Sequence, residues 1–501
     1  MTLPAKDQAL STEIDLAALA GRASADVKLA HRVAVMLQHE IISDGLQNGD
    51  SLGTAAEIRA RYNVGRWALR EAVGILELRG IARLRSGPGG GVIATEPDFA
   101  DLVNLTLLYL YANRSGPREI SDVRRSVITA VVKKLLDRSP GLIGPDSNGI
   151  VDQPVDLPRF LAVQTGNGAL ELAVKFVESV REACVPSPAA PTDWGNQGRS
   201  LWLSICRGEK DAALSKLDEF LASDEDRMAG AWMGLPAVTK RRSGTGKLAY
   251  RLALEILRDV VEHPDRPSDF LGSEPEIGVR FDANAEIVRQ AVRLIEDLGV
   301  VAPRRGRHGG VVLRPPDVAS IAALIPHLLC QKRLSVTTCC DAARYLSDEI
   351  ARLAAKRMKE SGKPRSRLSG SGEISYRKVM MMNRQIQIYA ENPLLSSIER
   401  GMGFYSYTID PPVFVKPPPT DRVVALSQRV LEAVENGDVE GASAATRERF
   451  EFMSIRFTAP EPEVGINLRG AVGTVSGPLG IPILNCQSFF ASFCSQKEES
   501  S

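Results

Sequence analysis

The sequence predicts a mainly α-helical protein in which two winged helix-turn-helix domains, each with a small β wing, alternate with two all-α helical bundles. Two observations support this fold class. One pattern of helices and turns occurs twice, and each copy is followed by a long stretch with helical periodicity and almost no strand pattern. A chain of 501 residues is too long for a single core, so several domains are expected.

The internal repeat relates the two halves of the chain by a shift of 219 positions. Residues 28–92 align with residues 247–311 without a gap, and 21 of the 65 pairs are identical. This identity is several times what shared composition produces by chance. The register continues through Pro97 and Pro316. The simplest explanation is therefore a duplication in which the repeated unit is longer than the aligned segment.

Breaks in the helical pattern divide the chain into segments. A stretch rich in Gly, Ala and Ser separates the two copies, and breaks at 139–154 and 360–372 are interpreted as matching loops. The predicted segments are an N-terminal tail (1–24), a first winged helix-turn-helix domain (25–96), a first helical domain (97–227), a linker (228–246), a second winged helix-turn-helix domain (247–315), a second helical domain (316–458) and a C-terminal tail (459–501).

The composition excludes several classes of protein. No apolar run approaches the roughly 18 to 20 residues that cross a bilayer, and the first residues lack the pattern of a signal peptide, so we expect a cytoplasmic protein without membrane contact. The seven cysteines form no CxxC pair, and the five histidines form no HExxH or HxxxH pair. The chain also lacks a nucleophile elbow, a P-loop and a dinucleotide fingerprint, so we expect neither an enzyme nor a cofactor.

The start of each copy has the pattern of a DNA-binding module. In the first copy the pattern predicts helices at 29–42, 55–62 and 66–79, a turn at 63–65, and strands at 80–84 and 91–95. Leu69, Val73 and Leu76 fall on one stripe of the third helix, so Arg66 and Arg70 share its outer face. A helix of this size fits the major groove, where arginine bonds guanine or grips phosphate.

A local basic patch accompanies this pattern, although the net charge of the whole chain is only +1. Residues 58–87 hold seven arginines and two glutamates, a local net charge of +5. Arg59 lies in the second helix, and Arg83 and Arg85 lie on the strand ribbon. Such a patch provides the electrostatic attraction that binding to the phosphate backbone requires.

These residues resemble the GntR family of regulators. The resemblance rests on Leu52-Gly53-Thr54-Ala55-Ala56-Glu57-Ile58 and on Val64-Gly65-Arg66-Trp67-Ala68-Leu69-Arg70-Glu71-Ala72-Val73, followed by Leu76-Glu77-Leu78-Arg79-Gly80-Ile81. It implies that Arg66 and Arg70, with Trp67 beside them, contact bases or phosphates. It also implies that Gly87 and its neighbours reach toward the minor groove.

The second copy departs from the family pattern. Both copies lack the arginine that the family has in helix 2, and Ala285 and Glu286 stand where the first copy has Arg66 and Trp67. An acidic residue at that place repels phosphate. The basic residues of the second copy are Arg289 in its third helix and Arg304, Arg305, Arg307 and His308 in its wing. We therefore expect it to bind the DNA backbone with altered or little base preference.

The helical stretches after each copy resemble the FadR type of C-terminal sensor domain. The matches include Gly166-Asn167-Gly168-Ala169-Leu170 and Glu391-Asn392-Pro393-Leu394-Leu395. Many such domains hold a metal through histidines, but the first ligand position is Pro158 in one half and Asn383 in the other, so no metal site of that type is expected. Arg125 and Arg344 face either an anionic effector or a structural ion-pair partner.

The sequence as a whole predicts a DNA-binding transcription regulator, a repressor or an activator, whose affinity for double-stranded operator DNA changes when a small molecule binds a helical domain. Fusion allows one chain to act as a pseudo-dimer, and a homodimer is the other possibility. The alternative hypothesis is a metabolite-binding or scaffold protein with degenerate DNA-binding modules, because the helix 2 arginine is missing and Glu286 is acidic.

Overall fold

The computed structural model describes residues 29–87, 90–137, 156–184, 197–231, 245–263, 269–304, 306, 309–316, 318–362, 376–409 and 420–454. The predicted tails, most of the predicted linker and most of the two predicted loops lie outside these residues. Of the helices in these stretches, none is both long and apolar enough to cross a membrane.

The first unit of the fold packs three helices against a three-stranded antiparallel sheet. Its elements are α1 (Leu29–Ser43), β1 (Ser51–Gly53), α2 (Ala55–Tyr62), α3 (Arg66–Leu78), β2 (Ala82–Arg85) and β3 (Gly91–Ala94). The central strand β3 pairs with both β1 and β2. The three helices and the hairpin begin and end within about two residues of their predicted positions. Strand β1 has no counterpart in the prediction, because three residues are too few to show an alternating pattern.

The second unit has the same order of elements. It consists of α10 (Thr245–Glu262), β4 (Phe270–Gly272), α11 (Glu274–Arg280), α12 (Ala285–Asp297), β5 (Val301–Arg304) and β6 (Gly310–Leu313), and its sheet order is β4-β6-β5. Local contacts repeat as well. The guanidinium Nη2 of Arg61 donates to the carbonyl of Leu52, and that of Arg280 donates to the carbonyl of Leu271. The two donors are 219 positions apart in the chain, and so are the two acceptors.

All-α domains follow each unit. The first contains α4 (Phe99–Ala112), α5 (Pro117–Leu136), α6 (Leu157–Gln164), α7 (Gly168–Cys184), α8 (Arg199–Cys206) and α9 (Lys210–Ala231). The second contains α13 (Val318–Ala322), α14 (Ile325–Gln331), α15 (Val336–Ser361), α16 (Tyr376–Ala390), α17 (Pro393–Ile409), α18 (Thr420–Glu435) and α19 (Val439–Ser454). The helical domains and the second unit share one hydrophobic core, whereas most of the first unit's buried residues form a separate core.

The two helical domains pack against each other through α5 and α15, which run antiparallel. The Lys133 ammonium lies 2.6 Å from an Asp348 oxygen and 2.5 Å from a Glu349 oxygen. Toward the other end of the contact, Arg357 forms an ion pair with Asp122. All these side chains are largely buried, so each charge needs its partner.

The asparagines of the two matching motifs join the halves in equivalent ways. Asn167 accepts hydrogen bonds from backbone amides at the start of α7 with its side-chain oxygen, and its amide nitrogen donates to the carbonyl of Thr338, at 3.1 Å. Asn392 likewise accepts from Leu395 at the start of α17 and donates to the carbonyl of Glu119, at 2.8 Å. Glu119 and Thr338 are 219 positions apart. Each asparagine therefore caps a helix and joins it to the other half.

Each three-helix unit contacts the helical domain of the other half. Helix α10 packs on α4, where the Tyr250 hydroxyl donates to the carbonyl of Asn104 at 2.8 Å. Helix α1 packs on α14 and α17, and the Gln38 amide nitrogen donates to the carbonyl of Ala323 at 2.5 Å. The halves are therefore interleaved rather than placed side by side.

A buried polar cluster lies where the two units meet. Arg79, only 4% exposed, donates from Nε and Nη2 to the two carboxylate oxygens of Asp297, both at 2.8 Å. Its Nη1 donates to the Gln38 side-chain oxygen at 2.6 Å. The His327 ring is buried nearby and its Nε2 has no hydrogen-bond partner in the described part of the chain. Burial, with a smaller contribution from Arg79, lowers the pKa of His327 to about 3.

This pKa shift predicts a loss of stability in mild acid. His327 stays neutral in the folded protein between its ordinary pKa of 6.5 and about 3, whereas the unfolded chain binds a proton there. Stability is therefore present above pH 6.5 and falls as the pH falls, by about 2 kcal/mol near pH 5 for this residue. Urea unfolding followed by circular dichroism is expected to show a smaller acid loss in His327→Leu than in the wild type. An equal loss of stability in the two proteins would contradict the assignment to His327. The loss would then come from groups that both proteins retain, such as His39, whose pKa burial also lowers.

A second prediction concerns the wing of the first unit. A Cβ added at Gly91 would lie 2.3 Å from the backbone oxygen of Gly53, which is closer than two such atoms can approach. Gly91→Ala is therefore expected to separate β3 from β1 and lower the free energy of unfolding by about 1–3 kcal/mol. Calorimetry of the variant and of Gly74→Ala provides the comparison, since an added Cβ at Gly74 meets only an Arg293 side-chain nitrogen at 3.7 Å. Equal unfolding temperatures for the two variants would rule the close approach out.

Candidate nucleic-acid interface

Local features of the backbone fix both ends of α2. The Thr54 hydroxyl accepts from the Glu57 amide, and the Glu57 carboxylate accepts from the Thr54 amide, which forms a capping box. These bonds hold the pKa of the exposed Glu57 below its usual value. Asn63 then adopts a left-handed conformation with φ of 50°, which ends α2 and turns the chain into α3. The residues at both ends of α2 thus encode its limits and the turn into α3.

Helix α3 has one buried face and one exposed face. Leu69, Ala72, Val73 and Leu76 are buried, as their spacing predicts. Arg66 and Arg70 are exposed, and neither forms an ion pair or hydrogen bond with a described residue. The Trp67 side chain between them is 80% exposed. A large aromatic side chain so exposed is typical of a surface that a partner covers.

The wing extends the same basic surface. Arg83, Arg85 and Gly87 are exposed on β2 and on the turn that follows it, where Gly87 has a φ of 100° that favours glycine. A Glu77 carboxylate oxygen accepts a hydrogen bond from the Leu84 amide at 2.9 Å, which joins the wing to α3. The wing arginines and those of α3 therefore belong to one rigid unit.

Two of the seven arginines in the sequence count do not belong to this surface. Arg61 forms an ion pair with Glu40 of α1. Arg79 is buried against Asp297. Arg59 is half-buried in α2, and its Nε has no partner in the described part of the chain. The sequence count overstated the local charge, because residue type alone does not distinguish a surface arginine from one that pairs with a distant carboxylate.

The exposed face of α12 in the second unit differs in charge. Arg289 lies 2.7 Å from Glu286 and 3.9 Å from Glu274, so nearby carboxylates neutralise its charge. Arg304 is exposed on the β5 strand, with its guanidinium 5.9 Å from the centre of the Phe270 ring. The other three predicted residues of this wing, Arg305, Arg307 and His308, lie outside the described residues.

The two arginines of the helical domains both have acidic partners. Arg125 lies 2.6 Å from Asp218 and 2.9 Å from Glu225, both on α9. Arg344 stacks on the Tyr345 ring at 4.5 Å and lies 3.6 Å from Asp137. Arg125 lines a cleft between the halves. Of the two alternatives, an anionic effector or a structural ion pair, both arginines are placed as the ion pair requires. Arg125 also remains a candidate for effector contact, because it lines the cleft.

Pro158 and Asn383, the positions of the first expected metal ligand, have other surroundings. Pro158 is buried near the start of α6. The Asn383 side-chain oxygen accepts a hydrogen bond from Arg449, whose burial lowers its pKa to about 10. No group of three or more His, Cys, Asp or Glu side chains that could hold a metal occurs among the residues that the structure describes.

Comparison with protein families identifies one segment. Residues 29–92 match the family described as bacterial regulatory proteins, gntR family. No curated protein and no solved structure matches the chain. The matched residues are those of the first unit, from α1 to β3. The first unit is therefore a helix-turn-helix domain of the gntR family, and this domain supports a DNA-binding transcription regulator.

Proposed function

We propose that this chain is an effector-responsive transcription regulator that brings two winged helix-turn-helix modules to operator DNA as an internal pseudo-dimer. The observation that carries the proposal is the exposed basic face of α3 in a gntR-type domain, where Arg66 and Arg70 flank Trp67 and have no described partner. Cytoplasmic action follows from this role, since bacterial DNA lies there. No catalytic role is proposed.

The second unit is proposed to be a module of the same type, derived by duplication. The 21 identities under the shift of 219 support this, and so do the equal sheet orders. The capping box also recurs, because Ser273 and Glu276 exchange the bonds that Thr54 and Glu57 exchange in the first unit. The helical domains are proposed to be sensors of the FadR type, supported by the equivalent roles of Asn167 and Asn392.

The contact between the units supports a pseudo-dimer. Helices α3 and α12 touch, and Gly74 approaches Arg293, the position 219 residues further along. An approach between equivalent positions is the arrangement of two subunits about a two-fold axis. The fused chain thus presents two exposed helices at one interface, as a homodimer does on a palindromic operator.

The same contact favours pairing of the two unlike units. The position equivalent to Arg79 is Leu298, and the position equivalent to Asp297 is Leu78. Two first units brought together would bury Arg79 against leucine without a carboxylate, which is costly. Two second units would leave Asp297 without its arginine. Charge complementarity therefore specifies pairing of the first unit with the second, which is satisfied within one chain.

The two modules are proposed to have different roles in DNA binding. The first reads bases through Arg66 and Arg70, with Arg59, Arg83, Arg85 and Gly87 near the backbone and minor groove. The second grips phosphates through its wing, because Glu286 and Glu274 neutralise Arg289. The preferred operator then has one specific half-site and one permissive half. The neutralised Arg289 also favours the alternative, a metabolite-binding or scaffold protein with degenerate modules, which the next experiment separates.

The first prediction from this model concerns base recognition. Arg66→Ala with Arg70→Ala is expected to weaken binding to DNA upstream of the protein's own gene about 100-fold or more, because two base or phosphate contacts are lost. Fluorescence anisotropy at low salt measures the affinity, with unrelated DNA of equal length as competitor. The matched control Arg289→Ala is expected to change it by less than about threefold, since its charge is already neutralised. A double variant that binds the DNA as tightly as the wild type would favour the scaffold alternative.

The second prediction concerns the ion pair between the units. Asp297→Leu leaves a buried guanidinium without a carboxylate and is expected to lower the free energy of unfolding by about 3 kcal/mol and to weaken DNA binding. The double variant Arg79→Leu, Asp297→Leu is expected to recover most of the stability, because no buried charge remains. Urea unfolding and anisotropy on the same preparations measure both effects. The single variant Arg79→Leu completes the comparison. If the losses of stability in Asp297→Leu and Arg79→Leu add up in the double variant, the two residues are not coupled.

A further inference from the structure

A cleft with a volume of about 870 Å³ opens between α5 and α9 of the first half and α15 of the second. Its size lies within the range of small-molecule sites in proteins. Both halves line it: Arg125 and Lys133 come from α5, and Lys356 and Arg357 come from α15. A molecule bound here therefore contacts both helical domains at the place where they pack together.

The lining carries more positive than negative groups. Of the described residues that line the cleft, six are arginine or lysine and four are aspartate or glutamate. Most of the cations already have carboxylate partners, such as Glu440 for Arg352. Lys356 is exposed and forms no ion pair or hydrogen bond with a described residue. Arg357 is 6% exposed, and its guanidinium is already paired with Asp122 and Glu360. The Lys356 ammonium thus remains available after the internal pairs are formed.

Hydroxyl groups line the α5 side of the cleft. Ser121, Ser126 and Thr129 lie about one turn apart on the face of α5 that lines it. None of the three hydroxyls forms a hydrogen bond with a described residue, although Ser126 is only 5% exposed. A hydroxyl that lines the cleft without a protein partner is available to a polar ligand.

The equivalent place on the other side of the α5 and α15 pair is filled. The position equivalent to Ser126 is Tyr345, which is 5% exposed and donates from its hydroxyl to Asp137 at 2.7 Å. Arg344 lies over its ring on one side, and Lys134 is 5.8 Å from the ring centre. The exchange of serine for tyrosine replaces open space with an aromatic ring. The two equivalent places of the repeat thus differ in what they offer to a ligand.

We propose that this cleft binds one small hydroxylated organic anion, a carboxylate or a phosphate ester, which contacts Lys356 with its charge and the α5 hydroxyls with its polar groups. The role of this anion as the effector rests on the proposed regulatory function. A ligand that joins α5 to α15 stabilises one packing of the helical domains. Because each DNA-binding unit contacts the helical domain of the other half, that packing sets the relative position of α3 and α12.

Calorimetric titration of the full chain with citrate, glycerol 3-phosphate and neutral glycerol tests the site. We expect one of the two anions to bind with a stoichiometry near one, and glycerol not to bind. Lys356→Ala is expected to weaken this binding about tenfold, because one charge-assisted hydrogen bond is lost. The matched control Lys359→Ala, an exposed lysine on the same helix outside the cleft lining, is expected to leave it unchanged.

A second variant, Ser126→Tyr, places in the cleft the residue that the second half has at the equivalent position, and it is expected to abolish binding. Circular dichroism of this variant checks its folding, and the Lys356→Ala result stands if it fails to fold. Absence of binding by both anions, or binding unaffected by Lys356→Ala, overturns the site whatever the DNA affinity. DNA binding is measured separately, so loss of the regulatory function with retained anion binding overturns only the role as effector.

Discussion

The ion pair between Arg79 and Asp297 is the constraint on which the arrangement of the two units depends. A guanidinium that is almost fully buried requires a carboxylate within hydrogen-bond distance, and here the two ends of α3 and α12 supply the partners. Gln38 extends the pair to α1 and, through the carbonyl of Ala323, to the segment between α13 and α14. One arginine thus joins α3 and α12 to the second helical domain.

The interleaving of the halves links this constraint to the helical domains. Tyr250 of the second unit bonds the backbone of α4, while Gln38 of the first unit bonds the backbone beyond α13. A change in the packing of α5 against α15 therefore shifts the backbone segments of the helical domains that the units of the opposite halves contact. In the proposed mechanism a ligand needs differential contact with only these two helices to alter the separation of α3 and α12.

The two units also show how one fold acquires two different surfaces. Glu286 stands where Trp67 stands in the first copy, and Arg289, identical in position to Arg70, is paired rather than exposed. At the α5 and α15 contact, Tyr345 occupies the position of Ser126. In each case a single substitution changes what the surface or cleft offers to a partner, while the buried stripes that fold the unit are retained, as Leu76 and Ile295 illustrate.

The sequence alone determined the repeat, the positions of α1, α2 and α3, the hairpin of the wing, and the exposure of Arg66 and Arg70. These features depend on local periodicity, caps and turns, which neighbouring residues encode. Only the tertiary structure decided that Arg79 and Arg61 are structural, that β1 completes the sheet, and that Arg125 lines a cleft between the halves. Those properties depend on partners far away in the chain, such as Asp297 for Arg79, and no local pattern identifies which distant carboxylate a given arginine meets.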